Sequence, residues 1–170
     1  MQIKICTRED ISRLLEVFTQ SYLEHSTYLW QDHGEFYVNT VLSQDKLTEE
    51  LAEPNSVFFL VYDNGKPVGL AKLNVDHARG PYSAADALEL ERIYFLKEAA
   101  GKGLGKATVA YISDLARQKG KAVVWLKAMA DNPSVGFYQK QGFTIAEETY
   151  LDYALLKDEF RKMVVMFKTL

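Results

Sequence analysis

Apolar and polar positions change period several times along the 170 residues, and each change marks an element. Residues 2–6 read as a short strand. Thr7 and Asp10 then make a capping-box-like start for a helix, on which Ile11, Leu14, Leu15, Phe18 and Tyr22 share a face that must pack on a sheet. Residues 25–39 are an aromatic, irregular connection with Tyr28, Trp30, Phe36 and Tyr37, and a second helix is expected near residues 43–53, closed by Pro54. Apolar runs at residues 57–62 and 68–75 flank Asp63-Asn64-Gly65-Lys66, the signal of an antiparallel hairpin. A polar loop at residues 76–87 leads to the strand containing residues 91–96. A helix over 107–119, a strand over 122–129, a charged connection at 152–162 and a last strand over 163–168 complete the pattern. The fold class is therefore α/β (α+β): one domain, residues 1–170, with a mixed sheet of about six or seven strands and helices on both faces.

Between the strand at 91–96 and the helix at 107–119 stands Gly101-Lys102-Gly103-Leu104-Gly105-Lys106. A glycine-rich turn into a helix N-terminus aims backbone N–H groups and the positive end of the helix dipole at one point, and the lysines add charge. Glycine permits positive φ and close approach, as an amide nest for phosphate oxygens requires. The spacing is not that of a dinucleotide-binding Gly-x-Gly-x-x-Gly, and Gly105-Lys106 is followed by Ala107 rather than the Ser or Thr of a nucleotide-binding P-loop.

Composition narrows the function. The net charge of −3 argues against general nucleic-acid binding and allows a cationic acceptor. Cys6 is the only cysteine, so no intrachain disulfide forms, and a small buried residue of the first strand is its simplest role. His25, His33 and His77 are scattered without metal-ligand spacing, so no metal is expected. No run approaches the roughly 18 apolar residues of a membrane span, so a cytoplasmic protein without membrane partners is expected.

The strand, the Gly-x-Gly-x-Gly loop, the helix and the following strand, continued by Asn132-Pro133-Ser134-Val135-Gly136-Phe137-Tyr138-Gln139-Lys140-Gln141-Gly142-Phe143, resemble the GNAT superfamily of acyl-coenzyme A-dependent N-acetyltransferases. The resemblance follows the element order of the whole chain and is most specific over residues 88–143. It implies splayed central strands, acetyl-CoA as cosubstrate and a small-molecule amine as acceptor, in a monomer or homodimer. The coenzyme's diphosphate would rest on residues 101–106, although Ala100 stands where the family usually has Gln or Arg. Its pantetheine would run along the backbone of Ile93, Tyr94 and Phe95, with Asn132 beside it and Lys140 toward the nucleotide end.

An amine must lose its proton before attacking a thioester, and the departing thiolate must gain one. Glu91 is the first candidate base and Glu89 the second; strand alternation places both on one face with Ile93 and Phe95, and their proximity would raise one pKa. Tyr138 matches the tyrosine that usually serves as the family's general acid. The segment at residues 88–95, with the Gly-Lys-Gly loop, is similar to the bacterial polyamine acetyltransferase branch, whereas residues 150–161 diverge from it. A non-catalytic coenzyme-binding module of the same fold is the alternative.

Overall fold

The computed structural model describes residues 1–170. The sheet has seven strands in the order β1 (Gln2–Ile5), β2 (Ser56–Asp63), β3 (Lys66–Asn74), β4 (Ala87–Phe95), β5 (Val123–Met129), β7 (Lys162–Thr169) and β6 (Thr144–Tyr150). All neighbours are antiparallel except β4 and β5. The β2–β3 hairpin turns on Asn64 (φ 49°) and Gly65 (φ 78°), the left-handed pair that a two-residue hairpin loop needs.

Helices α1 (Ile11–His25), α2 (Glu35–Val41) and α3 (Gln44–Ala52) accompany the first strands. The Asp10 carboxylate accepts from the Thr7 amide at 3.0 Å, fixing the entry to α1. Leu14, Phe18 and Tyr22 of α1 and Leu47 of α3 pack with Phe58, Leu60 and Leu70 of the sheet. Helices α4 (Leu104–Gln118) and α5 (Ser134–Lys140) meet the alternate residues, so Val109, Ile112 and Tyr138 pack with Phe59, Ala71 and Leu73. The two clusters take opposite parities of the same strands and therefore lie on opposite faces. A fully buried Leu or Phe in either contributes about 1.5–3 kcal/mol.

Residues 35–41, expected to be irregular in part, form α2 instead. Gly34 takes φ 89° ahead of it, and the Asp32 carboxylate accepts from the amides of Gly34 (3.1 Å) and Phe36 (2.6 Å), a start signal set back from the helix. Residues 151–161 fold back against this region through an isolated bridge, Trp30 to Leu156. No helix is long and apolar enough to cross a membrane.

Two irregularities shape the centre of the sheet. The β4–β5 pairing covers only Ala87↔Val123, Leu88↔Val124 and Glu89↔Trp125. Beyond Glu89, β4 keeps β3 on one side and has no strand partner on the other. On the β3 side the register jumps from Lys72↔Arg92 to Leu73↔Leu90, leaving Glu91 as the extra residue of a β-bulge.

Candidate active site

Gly101 and Gly103 both have φ 75°, and a Cβ at either would meet nothing within 4 Å. Only the backbone conformation requires glycine there, and the side on which a Cβ would stand is open. None of the amide N–H groups of residues 101–106 donates to an acceptor within the protein; the first bonded amide is that of Ala107, to the Gly103 carbonyl at 3.0 Å. Six consecutive unpaired amides at the N-terminus of α4, a 15-residue helix, fit an anionic diphosphate. Lys106 is exposed, while Lys102 is partly neutralised by Asp63 at 3.2 Å.

Gly105 connects this loop to the rest of the site. A Cβ there would lie 3.5 Å from the Phe137 ring and 3.7 Å from Phe95, so α5 and the end of β4 close on the helix start. Asn132 acts as the cap of α5, accepting from the Ser134 amide at 2.8 Å. Lys140 is exposed at the other end of that helix. Tyr138 is 8% exposed, between Phe137 and Phe143 at centroid distances of 5.2 and 5.7 Å. Burial, with a smaller effect from Tyr94, raises its phenol pKa, so the hydroxyl keeps its proton at neutral pH.

The bulge changes the expected disposition of β4. Ile93 packs on the cluster of Leu88 and Leu90, and Phe95 packs with Val68 and Leu104, whereas Glu89 faces the other way beside Trp125. The four residues therefore do not share a face: the extra residue at 91 inverts the alternation after it. Glu89 and Glu91 are nonetheless brought together, because Asn74 Nδ2 donates to both, at 2.6 and 2.8 Å.

Their proximity does not raise the Glu91 pKa. Burial pushes the carboxyl up, but Arg92, Lys72 and Asn74 outweigh it and hold the group below its ordinary value. Lys72 Nζ is 2.7 Å from Glu91 and 3.0 Å from Glu50, and Arg92 grips Glu50 with both terminal nitrogens at 2.6 and 3.0 Å. Two acids and two bases thus tie α3 to the bulge. Lys72 interrupts an apolar strand, and an interior charge is the sequence sign of a buried partner, though it does not say which. Glu89 carries no such cations; its contacts are Asn74 and His77 Nδ1, the latter at 2.6 Å.

Tyr22, Trp30, Tyr37 and Tyr153 line the α1–α2 side. Tyr22 stacks on Tyr37 at 4.4 Å, and Trp30 meets Tyr153 at 5.7 Å. Cys6 is buried in the same core cluster; burial, together with nearby Asp10, pushes its thiol up to about 12, which suits a packing role and not a nucleophile.

The model of the acetyltransferase (GNAT) family matches residues 11–143. The chain belongs to this family. It is 34% identical over 115 residues to an uncharacterized N-acetyltransferase of Lactobacillus delbrueckii subsp. lactis, covering 67% of this chain and 66% of that relative. With an uncharacterized N-acetyltransferase of Methanocaldococcus jannaschii it shares 22% identity over 144 residues, 83% of this chain and 59% of the other. The matched regions thus span less than two thirds of these curated relatives' lengths. Among solved structures, the PaiA N-acetyltransferase of Thermoplasma acidophilum in complex with coenzyme A superposes with a TM-score of 0.78 at 21% identity, covering 100% of both chains. A ribosomal-protein-alanine N-acetyltransferase of Brucella melitensis gives 0.74 at 20% identity, again with 100% of both chains covered. At such identities the likeness is one of fold.

Proposed function

We propose that this GNAT protein transfers the acetyl group of acetyl-CoA to a primary amine. The observation that carries this reading is the run of six unpaired amides at residues 101–106, beside a β4 edge that has no strand partner after Glu89. The amides suit the diphosphate, and the open edge at Ile93, Tyr94 and Phe95 suits the pantetheine amides as an added strand.

The thioester would then lie where the two strands part. In the reaction the amine nitrogen bonds to the acetyl carbon, the carbon–sulfur bond breaks, and the coenzyme leaves as a thiolate. Tyr138 supplies the proton that the thiolate gains: its ring is fixed by Phe137 and Phe143. The amine's own proton goes to the polar strip that holds Glu89 and Glu91.

Spermidine-like amines are the acceptors we favour. The resemblance of residues 88–95 and the Gly-Lys-Gly loop to polyamine acetyltransferases supports this, as do the half-buried rings of Tyr37 and Tyr153, against which an alkylammonium can rest. Thiol release from acetyl-CoA should be followed with spermidine, cadaverine and an alanine-initiated peptide. Faster release with spermidine supports the polyamine reading. Preference for the peptide would instead place the protein functionally with peptide N-terminal acetyltransferases. Tight acetyl-CoA binding without release for any amine would make it a coenzyme-binding module.

A further inference from the structure

We propose that His77 takes the proton from the attacking amine, and that the buried Glu89 carboxylate orients its imidazole. The inference rests on the acetyl-transfer reading above. His77 follows the end of β3, and its backbone is held at both groups: its amide donates to the Ala87 carbonyl at 3.3 Å and its carbonyl accepts from Trp125 Nε1 at 2.9 Å. The ring stands edge-on to Trp125 at a centroid distance of 5.1 Å. Backbone and ring are therefore positioned together.

The dyad is asymmetric in a way that suits a base. The Glu89 side chain is 3% exposed and that of His77 49%. An ionised carboxylate only accepts hydrogen bonds, so the 2.6 Å contact requires the proton on Nδ1 and leaves the lone pair on Nε2. Nε2 has no partner within the protein. A buried carboxylate on one nitrogen, with the other nitrogen free, is the arrangement that fixes a tautomer and stabilises the imidazolium formed when a proton is taken.

Location and charge distinguish this pair from Glu91. Glu89↔Trp125 is the last β4–β5 pair, so the dyad stands at the apex of the gap into which the thioester would be delivered. Glu91 is engaged by Lys72 and Arg92, whereas the only basic side chain on Glu89 is His77. Neutral His77 accepts the ammonium's first proton through Nε2, and the freed amine forms the carbon–nitrogen bond. As the carbon–sulfur bond breaks Tyr138 protonates the thiolate, the second nitrogen proton restores the Tyr138 phenol through water, and the imidazolium returns its proton to solvent. Glu89 remains a carboxylate throughout. One proton is released per ammonium acetylated.

A pH profile must be read against the charges around the ring. Glu89, and through Asn74 also Glu91, face it from β4; Arg79 and Lys127 lie over the Trp125 ring at 5.6 and 5.8 Å, and neighbouring Asp76 pairs with Lys121. The test is His77→Asn, which retains a donor for Glu89 but cannot accept the proton. Turnover with spermidine, or with the fastest amine of the panel if spermidine is inactive, is measured from pH 6 to 9 with and without added imidazole. Melting temperature and acetyl-CoA affinity are measured on the same preparations.

His77→Asn should reduce turnover about 10²-fold at neutral pH, with the deficit narrowing as more amine arrives unprotonated and imidazole restoring part of the rate. Melting and coenzyme affinity should stay at wild-type values. A wild-type pH–rate profile in the folded variant would overturn the assignment, as would an equal loss at every pH that imidazole leaves untouched. Wild-type protein that turns over no amine would remove the acetyl-transfer reading and this inference with it, an outcome distinct from a silent His77→Asn.

Discussion

Replacing Gly103 by Asp separates the anion site from the stability of the loop that forms it. Position 103 has φ 75° and open space where a Cβ would stand, so the apoprotein meets no clash and pays only the left-handed backbone strain, about 1–2 kcal/mol for an L-residue. An acid at the N-terminus of α4 recovers about 0.3–1 kcal/mol from the helix dipole. Melting should therefore fall little. Coenzyme binding should change far more, because the carboxylate confronts the diphosphate. Two unit charges about 5 Å apart repel by about 0.8 kcal/mol in bulk water and about 3 kcal/mol at an effective dielectric of 20, which weakens binding about 4- to 250-fold. Gly120→Asp is the matched control: its φ is 72°, its Cβ is equally unobstructed, and it lies at the other end of α4, where an acid opposes the dipole. Calorimetric titration with acetyl-CoA at two salt concentrations, with melting curves alongside, should show Gly103→Asp weak in binding and nearly normal in melting, and Gly120→Asp the reverse. Raising the salt should narrow the binding difference. Wild-type affinity in folded Gly103→Asp, or an equal loss in Gly120→Asp, would refute the placement of the diphosphate.

Tyr138→Phe should keep the fold and coenzyme affinity while slowing single-turnover acetyl transfer about 10²- to 10⁴-fold, whereas a residue needed only for packing would lower melting and spare the rate. Glu91→Gln should destabilise the protein by about 2–3 kcal/mol at neutral pH, less than a fully buried pair because the Glu91 side chain is 23% exposed. Because the folded pKa of Glu91 lies below its ordinary 4.5, this stabilisation is present above that value and lost as pH falls through the lower folded one. Denaturant titrations of wild type and Glu91→Gln should therefore converge in acid; a constant gap would show that the carboxylate is not held low. Native protein at pH 8 should resist iodoacetamide at Cys6, whose thiol is buried and pushed up to about 12, while the denatured chain is alkylated completely by mass spectrometry.

Much of this protein was legible locally. The amide run at 101–106, the Asn64-Gly65 hairpin and the Asn132 cap are each built by consecutive residues, so their physics is written in short stretches of chain. Helical and strand periods likewise placed α1, α4 and the central strands, because each must bury one face. Strand β6 left a weaker trace: Thr144–Tyr150 is an edge strand with mostly exposed side chains, and burial did not impose a clean alternation on it. The chemistry of the acidic pair was decided only in three dimensions. A single extra residue at Glu91 inverted the faces beyond it, and a period-two reading has no means of detecting such an insertion without its partner strand. Asn74, His77 and Glu50 reach β4 from 15, 12 and 42 residues away. Arg92, Lys72 and Asn74 lower the Glu91 pKa while Glu89 is left with an imidazole, so two glutamates equivalent in sequence became chemically different through partners that only the folded sheet brings into reach.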